Sequence, residues 1–281
     1  MKTLFVSVVI MLGFTMASLA QVFDTPPDRV WDKEYYPDRV AVPYPHLRKA
    51  DVFFAKRVWR VIDLREKINH PLFFPVQQPA NGRISLMGTI LKGIEENSIT
   101  AYRASDDEFK VPMTQEEVNQ ILMKVDTIKD RFDPFTGEQL PDTVISTPFD
   151  LASVTMFRVK EDWIFDRQRS VLECRILGIC PLREEYDADG NLKGTRADFW
   201  IYFPEARNVL VKNEVFNRFN DGQRLTYDDW FFKRLFGSYV IKETNVYDRY
   251  INSYATNLDA LLESERVEND TFVFEHDLWE Y

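Results

Sequence analysis

The segment from Asp51 to Asn69 carries apolar residues at intervals of three and four. On a helical wheel of about 100° per residue, one side collects Phe54, Val58, Val61, Leu64 and Ile68. The other side carries Asp63 and Glu66, together with Trp59, Arg60 and Lys67. The pattern predicts an amphipathic helix that ends near His70, because Pro71 disfavours helical geometry in the residue before it.

Asp63, Glu66 and His70 have a spacing at which a helix could present a carboxylate–histidine metal or acid–base site. The predicted end of the helix turns the imidazole of His70 away from the two carboxylates. Asp63 can instead pair with Lys67, four residues further on. We therefore interpret this side as a solvated or partner-facing surface, not as a catalytic or metal site.

Further helices and one strand are predicted before residue 141. The run ISLMGTILKGIEEN (84–97) is amphipathic, although Gly88 and Gly93 weaken it as a helix and could mark close backbone packing. Thr114 and Glu117 have capping-box spacing and predict the start of another helix. The run SITAYRAS between these two segments predicts a strand.

After the turn-rich loop DPFTGEQLPD the pattern changes to β. Strands are predicted over Asp142–Ser146, Val154–Phe165, Val171–Leu182 and Asp198–Phe203, with the hairpin connection EEYDADGNLKG between the last two. In the C-terminal third, Thr226 and Asp229 cap a helix that ends at Gly237. The run INSYATNLDALLESE then predicts a helix with one apolar face of Ile251, Tyr254, Leu258, Leu261 and Leu262.

The two ends of the chain differ from the rest. Residues 1–20 read as a secretory signal peptide, with Lys2, an apolar run from Leu4 to Phe14, and small residues before a cut after Ala20. Residues 21–50 form a proline- and aromatic-rich extended arm without helical or alternating period. The tail, residues 267–281, is aromatic and has few helix signals. Arm and tail could each strap across their own domain or dock on a neighbouring subunit.

Together these elements predict an α+β protein. The expected order is a signal peptide, an extended N-terminal arm (21–50), a single domain (51–266) and a C-terminal tail (267–281). The domain is expected to be helix-rich to about residue 141. Its C-terminal half is expected to hold a mixed antiparallel sheet and helices.

Composition narrows the class of function. The net charge is −10 and no long basic run is present, which argues against nucleic-acid binding and against anionic lipid surfaces. Aromatic residues make up 14% of the chain and supply large contact areas. The candidate partner-binding residues are Trp31, Tyr35, Tyr36, Tyr44 and Trp59. Cys174 and Cys180 lie six positions apart, about 20 Å along a straight strand, and are expected to be two buried thiols.

Catalytic motifs are missing. The sequence has no Gly-rich phosphate loop, no G-x-S-x-G, no H-E-x-x-H and no Cys-x-x-Cys. His46, His70 and His276 show no metal-ligand spacing. We therefore expect no enzyme, cofactor or metal. The alternative is a periplasmic small-ligand-binding protein or a carboxylate-dependent hydrolase, since abundant acids guarantee some close pairs.

Four segments resemble the GldN/PorN family of periplasmic components in the type IX secretion and gliding-motility machinery of Bacteroidota. They are KADVFFAKR, KRVWRVIDLREKINHPLFFP, ECRILGICPLREEYD and DFWIYFPEARNVL. The resemblance extends from the signal peptide to about Asn252. It implies a non-enzymatic subunit of a large periplasmic ring that binds an outer-membrane lipoprotein of the GldK/PorK type. It also implies a contact with the periplasmic region of a GldM/PorM-type motor protein.

Overall fold

The computed structural model describes residues 30, 39–76, 79, 82–128, 143–147, 149–186, 190–220 and 222–278. The chain divides into two units after Pro37, and the second unit runs from Asp38 to Tyr281. The predicted signal peptide, most of the arm and the loop DPFTGEQLPD lie outside the described residues, so those predictions stay predictions.

The strands of the described part of the chain are β1 (Val52–Asp63), β2 (Ala101–Arg103), β3 (Lys124–Ile128), β4 (Thr143–Thr147), β5 (Val154–Asp166), β6 (Val171–Tyr186), β7 (Leu192–Ala197), β8 (Phe199–Tyr202), β9 (Glu214–Val215), β10 (Leu225–Thr226) and β11 (Tyr239–Glu243). Seven of them form one antiparallel sheet in the order β11-β1-β5-β6-β8-β2, with β7 paired to β6 beside this path. Short ladders join β3 to β4 and β9 to β10.

Several helices begin at the caps that the sequence offers. The Thr114 and Thr226 hydroxyls each accept a backbone N–H three residues on, and Glu117 and Asp229 complete the two predicted capping boxes. The described α-helices are α1 (His70–Phe73), α2 (Leu86–Glu95), α3 (Gln115–Leu122), α4 (Phe203–Leu210), α5 (Tyr227–Phe232) and α6 (Leu258–Asp277). The α+β fold class is confirmed.

The helix predicted over Asp51–Asn69 is wrong, since most of that segment is β1. This strand lies between β11 and β5, and five consecutive residues from Val58 to Ile62 are buried. A strand covered on both faces shows no alternation, so its apolar positions matched a helical period by coincidence. The longest element of the N-terminal half is therefore a strand.

The region after β1 also differs from its prediction. His70 begins the short helix α1, with Pro71 in its first turn, where the missing N–H of proline is tolerated. The predicted partner of Asp63 is wrong as well, because its carboxylate accepts from Arg65 rather than from Lys67. In this fold the Arg65 backbone oxygen lies 3.3 Å from Nε2 of His70.

The C-terminal helices have other bounds than predicted. Helix α5 ends at Phe232 instead of Gly237, and α6 begins only at Leu258. Helix α6 then continues for 20 residues to Asp277, across the predicted start of the tail at residue 267. Residues 267–277, where the sequence has few helix signals, are therefore helical. Contacts with the sheet support this helix where its intrinsic signals are weak.

The main core fills the space between the sheet and helices α2 to α5, and Phe157, Leu86 and Phe231 are fully or almost fully buried in it. A second cluster around Trp59 and Trp200 and a third around Val58 and Val267 complete the packing. The third cluster joins α6 to β1 and β11, and so fixes the position of the C-terminal helix.

The two cysteines lie on β6 and are not bonded to each other. Cys180 is fully buried in the second cluster, whereas Cys174 is half-buried beside Glu161. Both thiols are free, and the prediction that they are buried is confirmed for Cys180 but only in part for Cys174. The hairpin between β6 and the following strands is confirmed too, although its returning strand is β7, with β8 continuing after it.

Candidate interaction surfaces

Helix α6 packs against the sheet through one side. The Ser264 hydroxyl accepts the backbone N–H of Val240 at 2.8 Å, and Phe274 stacks on Phe54 with ring centroids 4.1 Å apart. Glu268 forms an ion pair with the buried Arg60 on β1. The buried residues of α6 are Ser264, Val267 and Thr271, a small and partly polar set.

The opposite side of α6 carries the larger apolar side chains. We call this set the outward face, and its members with their exposed fractions are Leu258 (65%), Leu261 (57%), Leu262 (52%) and Val273 (42%). Phe272 (65%) lies at its edge, where it lines a cleft with Val240 and Val267. A helix on the surface of a globular protein normally points its apolar stripe at the core. In α6 Val267 and Phe274 face the sheet, but three leucines lie on the other side, an arrangement typical of a helix that is covered on its outer side by a further partner.

Helix α6 is also strongly acidic. It contains seven aspartates and glutamates and a single arginine, in a chain whose net charge is −10. Arg266 pairs with Glu263 and Asp270 within the helix. Asp259 and Glu265 lie beside the outward leucines and form no ion pair with any described residue.

A second feature is a cavity of about 440 Å³ between the β1–α1 connection and helix α5. We call it the cationic pocket. Its basic lining consists of Lys67, Arg218, Lys233 and Arg234, and its apolar lining of Ile68, Pro71, Phe219, Leu225, Trp230 and Leu235. The described lining residues include no carboxylate. The chain as a whole is negatively charged, so this cluster makes the electrostatic potential at the pocket locally positive.

Only one cation of this pocket is engaged in an ion pair with a described residue. Arg234 donates to the buried carboxylate of Glu161 at 2.5 Å, whereas Lys67, Arg218 and Lys233 form no ion pair in the described part of the chain. Phe219 is 86% exposed at the pocket and its ring lies 4.8 Å from the guanidinium of Arg218. The pocket therefore offers exposed apolar surface together with available positive charge.

The predicted partner-binding residues fall in three places. Trp31, Tyr35 and Tyr36 lie outside the described residues, so their role stays a prediction. Tyr44 is half-buried against its own domain, with its ring 4.4 Å from the guanidinium of Arg207 and 5.2 Å from that of Arg175. At this position the arm straps across its own chain. Burial raises the pKa of Tyr44.

The placement of Trp59 on an outward side is wrong. Its side chain is only 6% exposed, and its indole Nε1 donates to Asp107 at 3.0 Å. The ammonium groups of Lys242 and Lys160 lie 4.5 Å and 5.6 Å from its ring. The error follows from the helix prediction, because both faces of a central strand are covered. Trp59 is a core residue of this fold.

The two carboxylates that line a shallow cavity beside α3 are both engaged in structural contacts. Glu117 and Asp198 line one shallow cavity, but Glu117 caps α3 and Asp198 is held by Arg183 at 2.6 Å. Burial raises the pKa of Asp198, and hydrogen bonds from Arg183 act against that rise. Among the described residues, no group of three His, Cys, Asp or Glu could hold a metal ion.

Sequence reasoning did not find the two surfaces. Leu258, Leu261 and Leu262 were correctly placed on one face, but nothing in the period of a helix says which face the sheet covers. Lys67 and the residues around Lys233 come together only because the β1–α1 connection lies against the end of α5. The available signal was the acidity of residues 258–277, which a charge profile would have shown.

Comparison with known families decides the relationship. A family described as "Gliding motility associated protein GldN" matches residues 47–280. The chain belongs to the GldN family. The match includes both β1 and α6, and hence both surfaces. No curated protein matches the chain. No described helix is both long enough and apolar enough to cross a membrane.

Proposed function

We propose that this GldN-family chain is a non-enzymatic structural subunit of a periplasmic ring in type IX protein secretion and gliding motility. In this role it binds an outer-membrane lipoprotein of the GldK/PorK type. It further contacts the periplasmic region of a GldM/PorM-type motor protein. The predicted signal peptide, residues 1–20, directs it to the periplasm, and the lipoprotein partner holds it at the outer membrane.

The observation that carries this proposal is the exposed apolar side of α6. Leu258, Leu261 and Phe272 are more than half exposed, while the sheet side of the same helix holds Ser264 and Thr271. An isolated soluble protein has no energetic reason for this arrangement. A subunit of an assembly does, because the apolar side becomes buried when a neighbour docks.

The energy available from this face is sufficient for a stable contact. Burying one leucine side chain contributes about 1.5–3 kcal/mol before ordering costs. Leu261 and Leu262 are adjacent and both more than half exposed, so together they resemble the central apolar anchors of protein interfaces. Replacing both by aspartate removes that gain and places two further negative charges on an acidic helix.

The test is purification of the tagged, full-length protein from cell envelopes after cross-linking. Co-purifying proteins are identified by mass spectrometry and particles are imaged by electron microscopy. The wild-type chain is expected to purify with an outer-membrane lipoprotein in ring-shaped particles. The variant Leu261→Asp, Leu262→Asp is expected to lose these particles.

The matched control is Leu192→Asp on β7, because Leu192 is 57% exposed, as Leu261 is. Both variants should unfold at the temperature of the wild type, since exposed substitutions change stability by about 0.5 kcal/mol or less. Purification of the wild type without a lipoprotein and without large particles would overturn the proposed function.

A further inference from the structure

We propose that the cationic pocket of one copy of this chain receives the outward face of α6 from a second copy. The inference rests on the proposed function, since it names the contact that joins neighbouring subunits. The occupant of the pocket is helix α6 of a second copy, and described residues form both surfaces.

Charge complementarity is the first argument. The pocket presents Lys67, Arg218 and Lys233 without a described carboxylate among its lining residues. Beside the outward leucines, α6 presents Asp259 and Glu265, which have no ion-pair partner among the described residues. Opposite potentials steer two surfaces together and exclude wrong partners. In a chain with net charge −10, the pocket is a part of the described surface that offers positive charge to an acidic helix from another copy.

The second argument is the match of apolar groups. Leu258, Leu261 and Leu262 follow the i, i+3, i+4 spacing with which an amphipathic helix fills a groove. The pocket supplies exposed apolar partners in Ile68 (51%) and Phe219 (86%). Its volume of about 440 Å³ lies in the range of cavities that take up large apolar groups.

The two surfaces lie at separate places on the same chain. No residue of α6 lines the cationic pocket, so one copy can use both surfaces at the same time. Such a contact is heterologous, and repetition of a heterologous contact closes into a ring when its rotation permits. A two-fold symmetric dimer would instead use the pocket and the helix of both copies, so that no third subunit could join.

A chain of ion pairs, whose two central members are buried, connects the pocket to α6. Arg234 in the pocket wall binds Glu161, Glu161 also lies 3.4 Å from Nε of Arg60, and Arg60 pairs with Glu268 on α6. Glu161 and Arg60 are almost completely buried. Identical subunits close into a ring only if each contact repeats the same rotation. This requires a fixed orientation of the outward face of α6 relative to the cationic pocket.

The inference is tested by mixing two variants of the full chain. The pocket variant carries Lys67→Glu and Lys233→Glu, and the helix variant carries Leu261→Asp and Leu262→Asp. Each variant alone is expected to self-associate at least about 10-fold more weakly than the wild type in sedimentation velocity. An equal mixture is expected to form dimers that do not grow, because each variant keeps one intact surface. Circular dichroism and melting temperature establish that both variants are folded.

Site-directed cross-linking in cell envelopes supplies a second readout. A chain with Phe219→Cys and Leu262→Cys is expected to form intermolecular disulfide ladders, whereas Phe219→Cys with Leu192→Cys is expected to form none. A mixture that stays monomeric, or cross-links between two copies of residue 219, would overturn the inference. If α6 variants lose only the lipoprotein while copies never cross-link, the inference fails and the proposed function stands.

Discussion

Asn69 and Gly237 exchange two hydrogen bonds across 168 positions of the chain. The Asn69 amide nitrogen donates to the carbonyl oxygen of Gly237 at 2.9 Å, and the Gly237 backbone N–H donates to Oδ1 of Asn69 at 2.9 Å. Asn69 is completely buried. Since Ile68 and Leu235, on the two joined segments, both line the cationic pocket, this pair holds the two walls of the pocket together.

Substitution of Asn69 by alanine is expected to destabilise the protein and to loosen the pocket. The change removes the partners of the half-buried N–H and carbonyl of Gly237, at up to about 1–3 kcal/mol for each group that stays unsatisfied. Urea unfolding monitored by tryptophan fluorescence measures the loss. Asn208→Ala, at an exposed position of α4, is the control and should be close to neutral. Equal stability of the two variants would show that the Asn69–Gly237 pair contributes nothing.

Breaking the ion pair between Arg207 and Asp228 is expected to lower the free energy of unfolding strongly. Replacing both residues by apolar ones is expected to lower it much less. Arg207 donates to both carboxylate oxygens, at 2.6 Å and 3.0 Å, and neither side chain is more than 9% exposed. Arg207→Ala leaves a buried carboxylate uncompensated and should lower the free energy of unfolding by about 3–5 kcal/mol. The double variant Arg207→Met, Asp228→Leu should lose much less. A double variant less stable than the single one would contradict this account.

The strap formed by the arm depends on the same arginine. Tyr44 covers the guanidinium of Arg207, so Tyr44→Ala should lose a cation–π contact worth about 0.5–2 kcal/mol, whereas Tyr44→Phe should keep it. Limited proteolysis between residues 39 and 50 measures the attachment of the strap. Faster cleavage is expected for Tyr44→Ala alone. Identical cleavage of both variants would contradict the attachment of the arm through Tyr44.

Glu161 is expected to be essential for the attachment of α6. Its fully buried carboxylate accepts from Arg234 at 2.5 Å and from the thiol of Cys174 at 3.0 Å. Glu161→Gln leaves Arg60 and Arg234 without a buried counter-charge and should cost about 3–5 kcal/mol. Hydrogen exchange in α6 should accelerate, because Arg60 also pairs with Glu268. Glu95→Gln, at an exposed position of α2, serves as the control and should leave exchange unchanged.

The two cysteines are expected to be unreactive until the chain unfolds. Burial raises the pKa of Cys180 to about 12, and burial followed by the nearby Glu161 carboxylate raises the pKa of Cys174. The reactive thiolate is therefore nearly absent at pH 8. Because unfolded thiols ionise near pH 8.5 while the folded ones stay protonated, the free energy of unfolding should fall as pH rises above about 8.5. Rapid labelling of the native protein at pH 8 would contradict this prediction.

The antiparallel part of the fold was predictable from the sequence, but β1 was not recognised. Strands β5 and β6 are long and end in turn signals, so their pattern identified them. In β1 the burial of five consecutive residues hid the alternation, and the spacing of its apolar residues imitated a helix. Its enrichment in β-branched and aromatic residues, such as Val58, Trp59 and Val61, was the signal that favoured a strand.

The candidate surfaces depend on tertiary packing that a one-dimensional pattern does not contain. A helical wheel placed the leucines of α6 on one face, but the residues of α6 that pack against the sheet are Ser264 and Val267 on the opposite side. The cationic pocket joins Lys67 and Lys233, which are separated by more than half of the chain. Their proximity follows from the Asn69–Gly237 pair, whose partners give no sequence signal of each other.

The central claim is that the outward side of α6 is covered by neighbours in a periplasmic assembly. Hydrogen exchange and mass of the native particle, measured together on protein released gently from envelopes, test it most directly. The account predicts a large particle containing an outer-membrane lipoprotein, in which Leu258 to Val273 exchange more slowly than in the isolated chain. A particle with the mass of a single chain, with equal exchange in α6, would contradict it.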